Sequence, residues 1–258
     1  MLTDEPIHAS LATADIERAR AWYRDKLGLD PNPRVEGVLV YRDAGALFTV
    51  FPSEFAGTAR NTVMTRNMPD LRAEVARLRA RGVVFEEYDM GEFGRTHDGI
   101  MAGSSGSELL AWFKDADGNV IGLAEVANDP MPLGWSPMIA TSDVDRAKAW
   151  YHDKLGFNPA FESPGAITYT AADTAFTVYP TSLAGTARNT VAIWRLADAR
   201  SEVDRLRSRG VVFDDYDFGE NGKTVDGVLV DEDGSLLAWF RDPDGNVLGI
   251  VEDHGEPI

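Results

Sequence analysis

Apolar positions along this chain follow two rhythms, and each switch between them marks an element. Residues 7–14, IHASLATA, read as a short strand. Asp15 stands where a helix N-cap is expected, and Ile16, Ala19, Tyr23 and Leu27 then recur at helical spacing. Gly28 supplies the stop. Two β-type runs rich in Val and aromatics follow, GVLVYR and ALFTVF. NTVMTRN opens a second round, with a helix predicted from Asp70 that carries Leu71, Val75 and Leu78 on one face and closes at Gly82. VVFEEY, LLAWF and VIGLA are read as three further strands, the last two joined by a tight turn at KDADGN.

The whole pattern is then written again. DIERARAWYRDKLGL at 15–29 returns as DVDRAKAWYHDKLGF at 143–157, and AGTARNTV at 56–63 returns unchanged at 184–191. The register is constant at 128 until the loop around Gly103, where the second copy is one residue shorter. Two long copies mean a duplicated domain rather than a solenoid. The expected division is 1–127, a Pro-containing linker over 128–135, and 136–258. Strand, helix and several strands, four times over, predict an α+β fold with helices segregated onto sheet faces.

Charge narrows the partners. A net charge of −17 argues against nucleic acid, which is held by Lys and Arg, and against an anionic membrane surface. With no cysteine, disulfides, thiolate metal sites and cysteine nucleophiles are excluded, which fits a reducing compartment. No basic segment leading into an apolar core opens the chain, and no apolar run approaches the roughly 18 to 20 residues of a membrane span. The expectation is a cytoplasmic protein, monomeric or homodimeric, with a small organic ligand or substrate as its partner.

LATADIERARAWYRDKLGL with its counterpart IATSDVDRAKAWYHDKLGF, and the terminal DADGNVIGL and DPDGNVLGI, resemble the vicinal oxygen chelate superfamily: glyoxalase I, bleomycin-resistance proteins and extradiol dioxygenases. The resemblance covers nearly the whole chain, once per repeat. It implies four βαβββ units, paired into two glyoxalase-like domains whose curved sheets wrap clefts. It also implies three metal-ligand positions in metal-using members. The first is a His seven residues before the Asp that opens the first helix. The second is a His, Gln or Glu on the first strand of the second unit. The third is a Glu three residues after the Asn of the DPDGN-type turn. Here His8 matches the first, but its counterpart is Ser136; the others fall on Val63 and Val191, and on Gly122 and Gly249. Glu125 and Glu252 lie three residues past those glycines, an odd offset that turns them to the opposite face of a regular strand. A catalytic divalent ion needs about three protein ligands. Neither a metal nor another cofactor is expected.

What remains is a set of candidate ligand contacts. Strand alternation from Val63 turns Thr65 and Asn67 toward a first cleft, with His8, Ser10 and Trp112. Met138, Ile193, Arg195 and Trp239 are the counterparts assigned to a second, more apolar cleft that holds a cation. His97 is a second candidate histidine without a copy, since Val225 replaces it. Two readings of function follow. One is a metal-independent small-molecule-binding protein. The other is a metal-free isomerase, lyase or cyclase in which His8 and His97 exchange protons with a substrate. A metal enzyme with ligands elsewhere is a third. DADGN and DPDGN do not fit an EF-hand, because Gly falls fourth rather than sixth. GSSGS at 103–107 lacks the last Gly of a nucleophile elbow and reads as a loop. The unchanged AGTARNTV either bridges the two βαβββ units or binds ligand through Arg60 and Arg188.

Overall fold

The computed structural model describes residues 1–33, 37–91, 94–103, 108–126, 134–163, 166–219, 222–230 and 234–252. Residues 104–107 of the GSSGS stretch and 128–133 of the expected linker lie outside them. The first copy runs β1 (Ile7–Thr13), α1 (Ile16–Trp22), β2 (Leu39–Asp43), β3 (Ala46–Pro52), β4 (Thr62–Asn67) and α2 (Leu71–Ala80). It closes with β5 (Thr96–His97), β6 (Ile100–Ala102), β7 (Glu108–Lys114) and β8 (Val120–Val126). The second copy runs β9 (Gly134–Thr141), α3 (Val144–Trp150), β10 (Phe161–Ser163), β11 (Ala166–Ala171), β12 (Thr174–Pro180) and β13 (Thr190–Leu196). It ends with α4 (Ala199–Ser208), β14 (Val228–Val230), β15 (Leu236–Arg241) and β16 (Val247–Glu252). The βαβββ order is complete in β9–β12 and in β13–β16. Gly134 and Trp135, placed in the linker by composition, already belong to β9.

The chain folds as two compact units, Ala9–Met138 and Met1–His8 with Ile139–Ile258. The first eight residues pack with the second repeat for visible reasons. The Leu2 amide donates to Glu202 Oε1 at 3.0 Å, the Ile7 amide to Thr174 Oγ1 at 2.9 Å, and the Ala172 amide to the Thr3 carbonyl at 3.0 Å. In the Ala9–Met138 unit β3 lies between β1 and β2, and a second sheet runs β9–β4–β8–β7–β6–β5. In the other unit the strands run β10–β11–β12 and β13–β16–β15–β14.

The helix signals read from sequence act as caps. Asp15 accepts from the amides of Glu17 and Arg18, and Asp70 from that of Ala73. α1 ends in a π-helical turn, Tyr23–Leu27, and Gly28 follows at φ +80°, the left-handed conformation that glycine adopts without strain. The expected strand at VVFEEY does not form: it makes only an isolated bridge from Phe85 to Phe113. Its β-prone side chains are used otherwise. Phe85 packs edge-on against Phe113 at 5.8 Å, and Glu87 accepts from the Thr96 hydroxyl and the Gly99 amide. No helix among the described residues is long and apolar enough to cross a membrane.

Both KDADGN-type turns lock their repeat together. Tyr23 donates to Asp115 Oδ2 at 3.0 Å, and Asn119 Nδ2 donates to Asp115 and to the Ala12 carbonyl. Asp117 accepts from the Thr13 hydroxyl, the Ala14 amide and Arg18. Tyr151, Asp242, Asn246 and Asp244 repeat the arrangement. The unchanged AGTARNTV packs against this turn. A Cβ on Gly57 would meet the Asp117 carbonyl oxygen at 2.7 Å, and one on Gly185 the Asp244 carbonyl oxygen at 2.7 Å. A backbone contact that no side chain can enter is a reason for the glycine of the stretch to stay the same.

Candidate functional site

Each second βαβββ unit has two faces. One carries the helix: Glu125 Oε2 accepts from the Leu71 amide and Glu252 Oε2 from the Ala199 amide, at the N-termini of α2 and α4. Those two carboxylates, the nearest acids to the expected metal positions, are helix partners on the helix side. Phe113 and Phe240 also point there and are fully buried. In the Ala9–Met138 unit a cavity of about 50 Å³ lies on this side, lined by Arg66, Glu74, Arg77 and Trp135. Its charges already satisfy one another: Arg66 Nε lies 2.8 Å from Asp43 Oδ2, and Arg77 2.6 Å from Glu74 Oε1.

The face turned away from α2 is organised around a glycine. Ser136 of β9 pairs with Thr65 of β4, Thr65 with Gly122 of β8, and Gly122 with Trp112 of β7. Paired residues share a face, so these four form one row across the sheet. In the second repeat Ile193 of β13 pairs with Gly249 of β16, and Gly249 with Trp239 of β15. By alternation Asn67 joins the first row's face, and Arg195, Leu237 and Val251 the second's.

A bulge changes the residue that stands next to the glycine. The register shifts between Thr62 and Met64, and between Thr190 and Ala192. Val63 and Val191 are the extra residues, tucked into the core at 1 % exposure. Thr62 and Thr190 take the neighbouring place, their Cγ2 atoms 3.4 Å from where a Cβ of Gly122 or Gly249 would lie. The alternation counted from Val63 therefore missed both threonines. Thr65, Asn67, Ile193 and Arg195, beyond the bulge, lie on the glycine face.

This geometry does not fit a metal. A side chain at Gly122 would start 2.6 Å from Thr65 Oγ1, and one at Gly249 2.9 Å from Ile193 Cγ1. The space from which a ligating Glu would project is filled by the adjacent strand. Hydroxyls, an isoleucine and glycines are the neighbours, and no group of three His, Cys, Asp or Glu suited to a metal occurs among the described residues.

The opening strands are exchanged relative to sequence order. β4 lies beside β9 rather than β1, and β13 beside β1. Met138, assigned to the second cleft, thus belongs to the same unit as Thr65, Asn67 and Trp112, and is half-buried there. His8, assigned to the first, belongs to the unit of Ile193, Arg195 and Trp239, and is buried at 6 % exposure. Ser10 stays in the Ala9–Met138 unit, fully buried, its hydroxyl accepting from Thr49 Oγ1 at 3.2 Å. His97 is exposed on β5, the edge strand of the Ala9–Met138 unit. The two histidines of the acid–base reading therefore fall in different units, and one of them faces solvent.

The aromatic surroundings were only partly legible. Trp112 packs edge-on against Tyr88 at 5.7 Å in a cluster with Met101 and Val120. Trp239 has a larger group: Tyr216 at 5.6 Å edge-on and Phe218 at 5.4 Å, with Tyr216 and Phe218 stacked on each other. The loop motifs YDMGE and YDFGE hold these rings, and Phe218 replaces Met90 between copies. Arg195 is half-buried, and that burial pulls its guanidinium below the usual arginine value.

The family model for the Glyoxalase/Bleomycin resistance protein/Dioxygenase superfamily matches residues 6–123 and again 136–250. Among solved structures, glyoxalase I from Zea mays shares 14 % identity at a TM-score of 0.60, over 96 % of this chain and 93 % of its own. A proposed dioxygenase from Bacillus subtilis shares 15 % identity at a TM-score of 0.59, over 98 % of this chain and 86 % of its own. A glyoxalase/bleomycin resistance protein from Catenulispora acidiphila is 26 % identical over 46 % of this chain and 96 % of its own, with a TM-score of 0.36. No curated relative matches the sequence.

Proposed function

This chain belongs to the Glyoxalase/Bleomycin resistance protein/Dioxygenase superfamily, and from that premise we propose that it is a metal-independent protein that binds a small organic ligand on the glycine-centred face of a repeat. The fold supports many chemistries, so the residues of the face must decide. The observation that carries the reading is Gly122 beside Thr65, and Gly249 beside Ile193, where a Cβ would meet its neighbour at 2.6 and 2.9 Å. Such a face offers shape, aromatic rings and hydroxyls, which are the means of a binding pocket. It offers no ligand set for a Lewis acid.

The test joins metal analysis to ligand binding. Purified protein should contain no stoichiometric divalent metal. Small organic compounds that raise its melting temperature should do so equally before and after chelation. Tightly bound zinc, iron, manganese or nickel at one equivalent, or ligand stabilisation lost on chelation, would sink the proposal.

A further inference from the structure

The two row glycines have different surroundings. A Cβ on Gly122 would meet Thr65 Oγ1 at 2.6 Å, Thr62 Cγ2 at 3.4 Å and Thr65 Cβ at 3.5 Å. One on Gly249 would meet Ile193 Cγ1 at 2.9 Å, Thr190 Cγ2 at 3.4 Å and Trp239 Cδ1 at 3.5 Å. The atoms nearest Gly249 are thus all carbon, and the indole edge is one of them. The same indole leads to a second difference. Trp239 stands edge-on to Tyr216, with 81° between the ring planes, and tilted to Phe218 at 55°. Tyr216 and Phe218 stack at 27°, so the three rings form a corner. Phe218 is 40 % exposed, which leaves one side of that corner open. In the first repeat Tyr88 stands edge-on to Trp112 in the same way, at 79°. Met90 takes the place of Phe218 there, and the corner lacks its third ring.

Resting on the reading that ligand sits on a glycine face, we propose that the second-repeat face is the one that takes it, and that Phe218 selects a flat aromatic body. The ligand class is a compound of fused or linked aromatic rings whose flat part is apolar. Each part follows from the chemistry. Aromatic rings attract one another offset-stacked or edge to face, so a guest lying over one wall of the corner presents its edge to the next. A saturated body of the same size buries apolar area but gains nothing from that arrangement. Beside Gly249 a polar group would lose water and find carbon, so the inner part of the guest is apolar. A methionine at the Phe218 position is flexible and has no ring face. It adapts to apolar shapes without favouring flat ones.

N-phenyl-1-naphthylamine, which brightens when shielded from water, serves as the reporter, displaced by naphthalene or by its saturated counterpart decalin. The full chain should bind one equivalent of the reporter. Each competitor is read as its change from wild type, because the two differ in their own transfer from water. Phe218→Met should weaken naphthalene about threefold or more, the size of one aromatic pairing, and leave decalin within about twofold. Phe218→Tyr should keep naphthalene at its wild-type strength. Equal weakening of both competitors, no weakening of either, a second equivalent of reporter bound as tightly, or no reporter bound would overturn the assignment. Gly249→Leu, which fills the face, tests the underlying reading separately, with Trp239→Ala as the substitute if it unfolds. Loss of the reporter keeps ligand on this face even where the preference for flat rings fails. Retention of the reporter in a folded Gly249→Leu protein would remove the face as the ligand site, and the ring proposal with it.

Discussion

Two regions of each repeat have had different histories since the duplication. At the turn that follows β7 or β15, Tyr23, Asp115 and Asn119 make the same bonds as Tyr151, Asp242 and Asn246, at lengths that differ by no more than 0.2 Å. On the glycine face the glycine, the tryptophan, the leucine two residues before it and the bulge-side threonine are shared, while Thr65, Asn67 and Ala124 give way to Ile193, Arg195 and Val251. The turn is closed on itself: the Tyr23 hydroxyl, the Asp115 carboxylate and the Asn119 Nδ2 are each bonded to a particular partner, and changing one leaves the other unsatisfied. The face spends its side chains on whatever lies in front of it. Thr65 can become Ile193 and Asn67 can become Arg195 without disturbing a backbone bond. The frame is constrained from within and the face is not, which is why the residues of the face can change while the fold stays put.

The largest expected difference between the faces is in how much each tryptophan supports its own unit. Trp112 is 9 % exposed and packed with Met101, Val120, Tyr88 and Leu110. Trp112→Ala should cost about 3–5 kcal/mol, the range for emptying a large aromatic site. Trp239 is only half-buried, and its partner Phe218 faces solvent at one edge. Trp239→Ala should cost clearly less, about 1–3 kcal/mol, in proportion to the smaller area removed from water. Urea unfolding of both variants checks the order. If Trp239→Ala proves the more destabilising, the second face is core rather than a ligand surface.

Much of this architecture was legible in the sequence. The repeat register, the N-caps at Asp15 and Asp70, the stop at Gly28 and the division of Trp112 from Phe113 across a sheet all follow from local rules of periodicity and capping. The misreadings have a common cause, because each depends on a non-local choice. The bulge at Val63 is set by where β4 meets β8, and no residue type announces it. VVFEEY has the composition of a strand, yet its partners are single residues, so propensity lost to the tertiary neighbours. The pairing that puts β4 beside β9, and His8 in the unit of Trp239, joins segments far apart in the chain. Alternation within one strand carries no information on that.

The buried aspartates should behave alike in the two repeats. Burial pushes the Asp115 carboxyl up and lifts Asp242 to about 6, despite the hydrogen bonds that each accepts. A carboxyl that titrates higher in the fold than in the unfolded chain favours the folded state most when protonated. Its contribution is therefore full below the ordinary aspartate value and is lost as the pH rises through about 6. Asp242→Asn should remove that part of the pH dependence of the melting temperature. It should also cost about 1–3 kcal/mol, since one acceptor for Tyr151 and Asn246 becomes a donor. A pH profile unchanged between wild type and Asp242→Asn would show that Asp242 ionises without penalty. A cost confined to one of Asp115→Asn and Asp242→Asn would break the equivalence of the two turns.

A smaller effect is expected from adding a methyl group to the row itself. Gly122 and Gly249 have no left-handed backbone, so only space opposes alanine. In Gly122→Ala the new Cβ meets the Thr65 hydroxyl at 2.6 Å, and that hydroxyl can rotate away. In Gly249→Ala it meets Ile193 Cγ1 at 2.9 Å, on a β-branched side chain with little rotamer freedom. Gly249→Ala should therefore cost about 1 kcal/mol or somewhat more, and Gly122→Ala less. Thermal unfolding of the pair reads this directly, and equal costs would mean that the isoleucine yields as readily as the threonine.

The smallest difference lies at the surface end of the turn. Arg18 reaches Asp117 Oδ1 at 2.6 Å and Arg146 reaches Asp244 Oδ1 at 2.8 Å, both from half-exposed side chains. With the arginine half-exposed over a buried aspartate, each pair contributes on the order of 1 kcal/mol and weakens with salt. The copies differ in a single atom: Ser142 Oγ donates to Asp244 Oδ1 at 2.6 Å, where Ala14 has no hydroxyl to offer Asp117. Asp244 thus keeps a side-chain donor on that oxygen when its arginine is removed, and Asp117 does not. Arg18→Ala should be the costlier of the two substitutions, and Arg146→Ala should approach it only when Ser142→Ala is added. If Arg146→Ala alone costs as much as Arg18→Ala at low salt, the serine does not share the load. The carboxylates would then be held by the backbone amides of Ala14 and Ser142, at 2.9 Å in both repeats, with the arginines incidental to either.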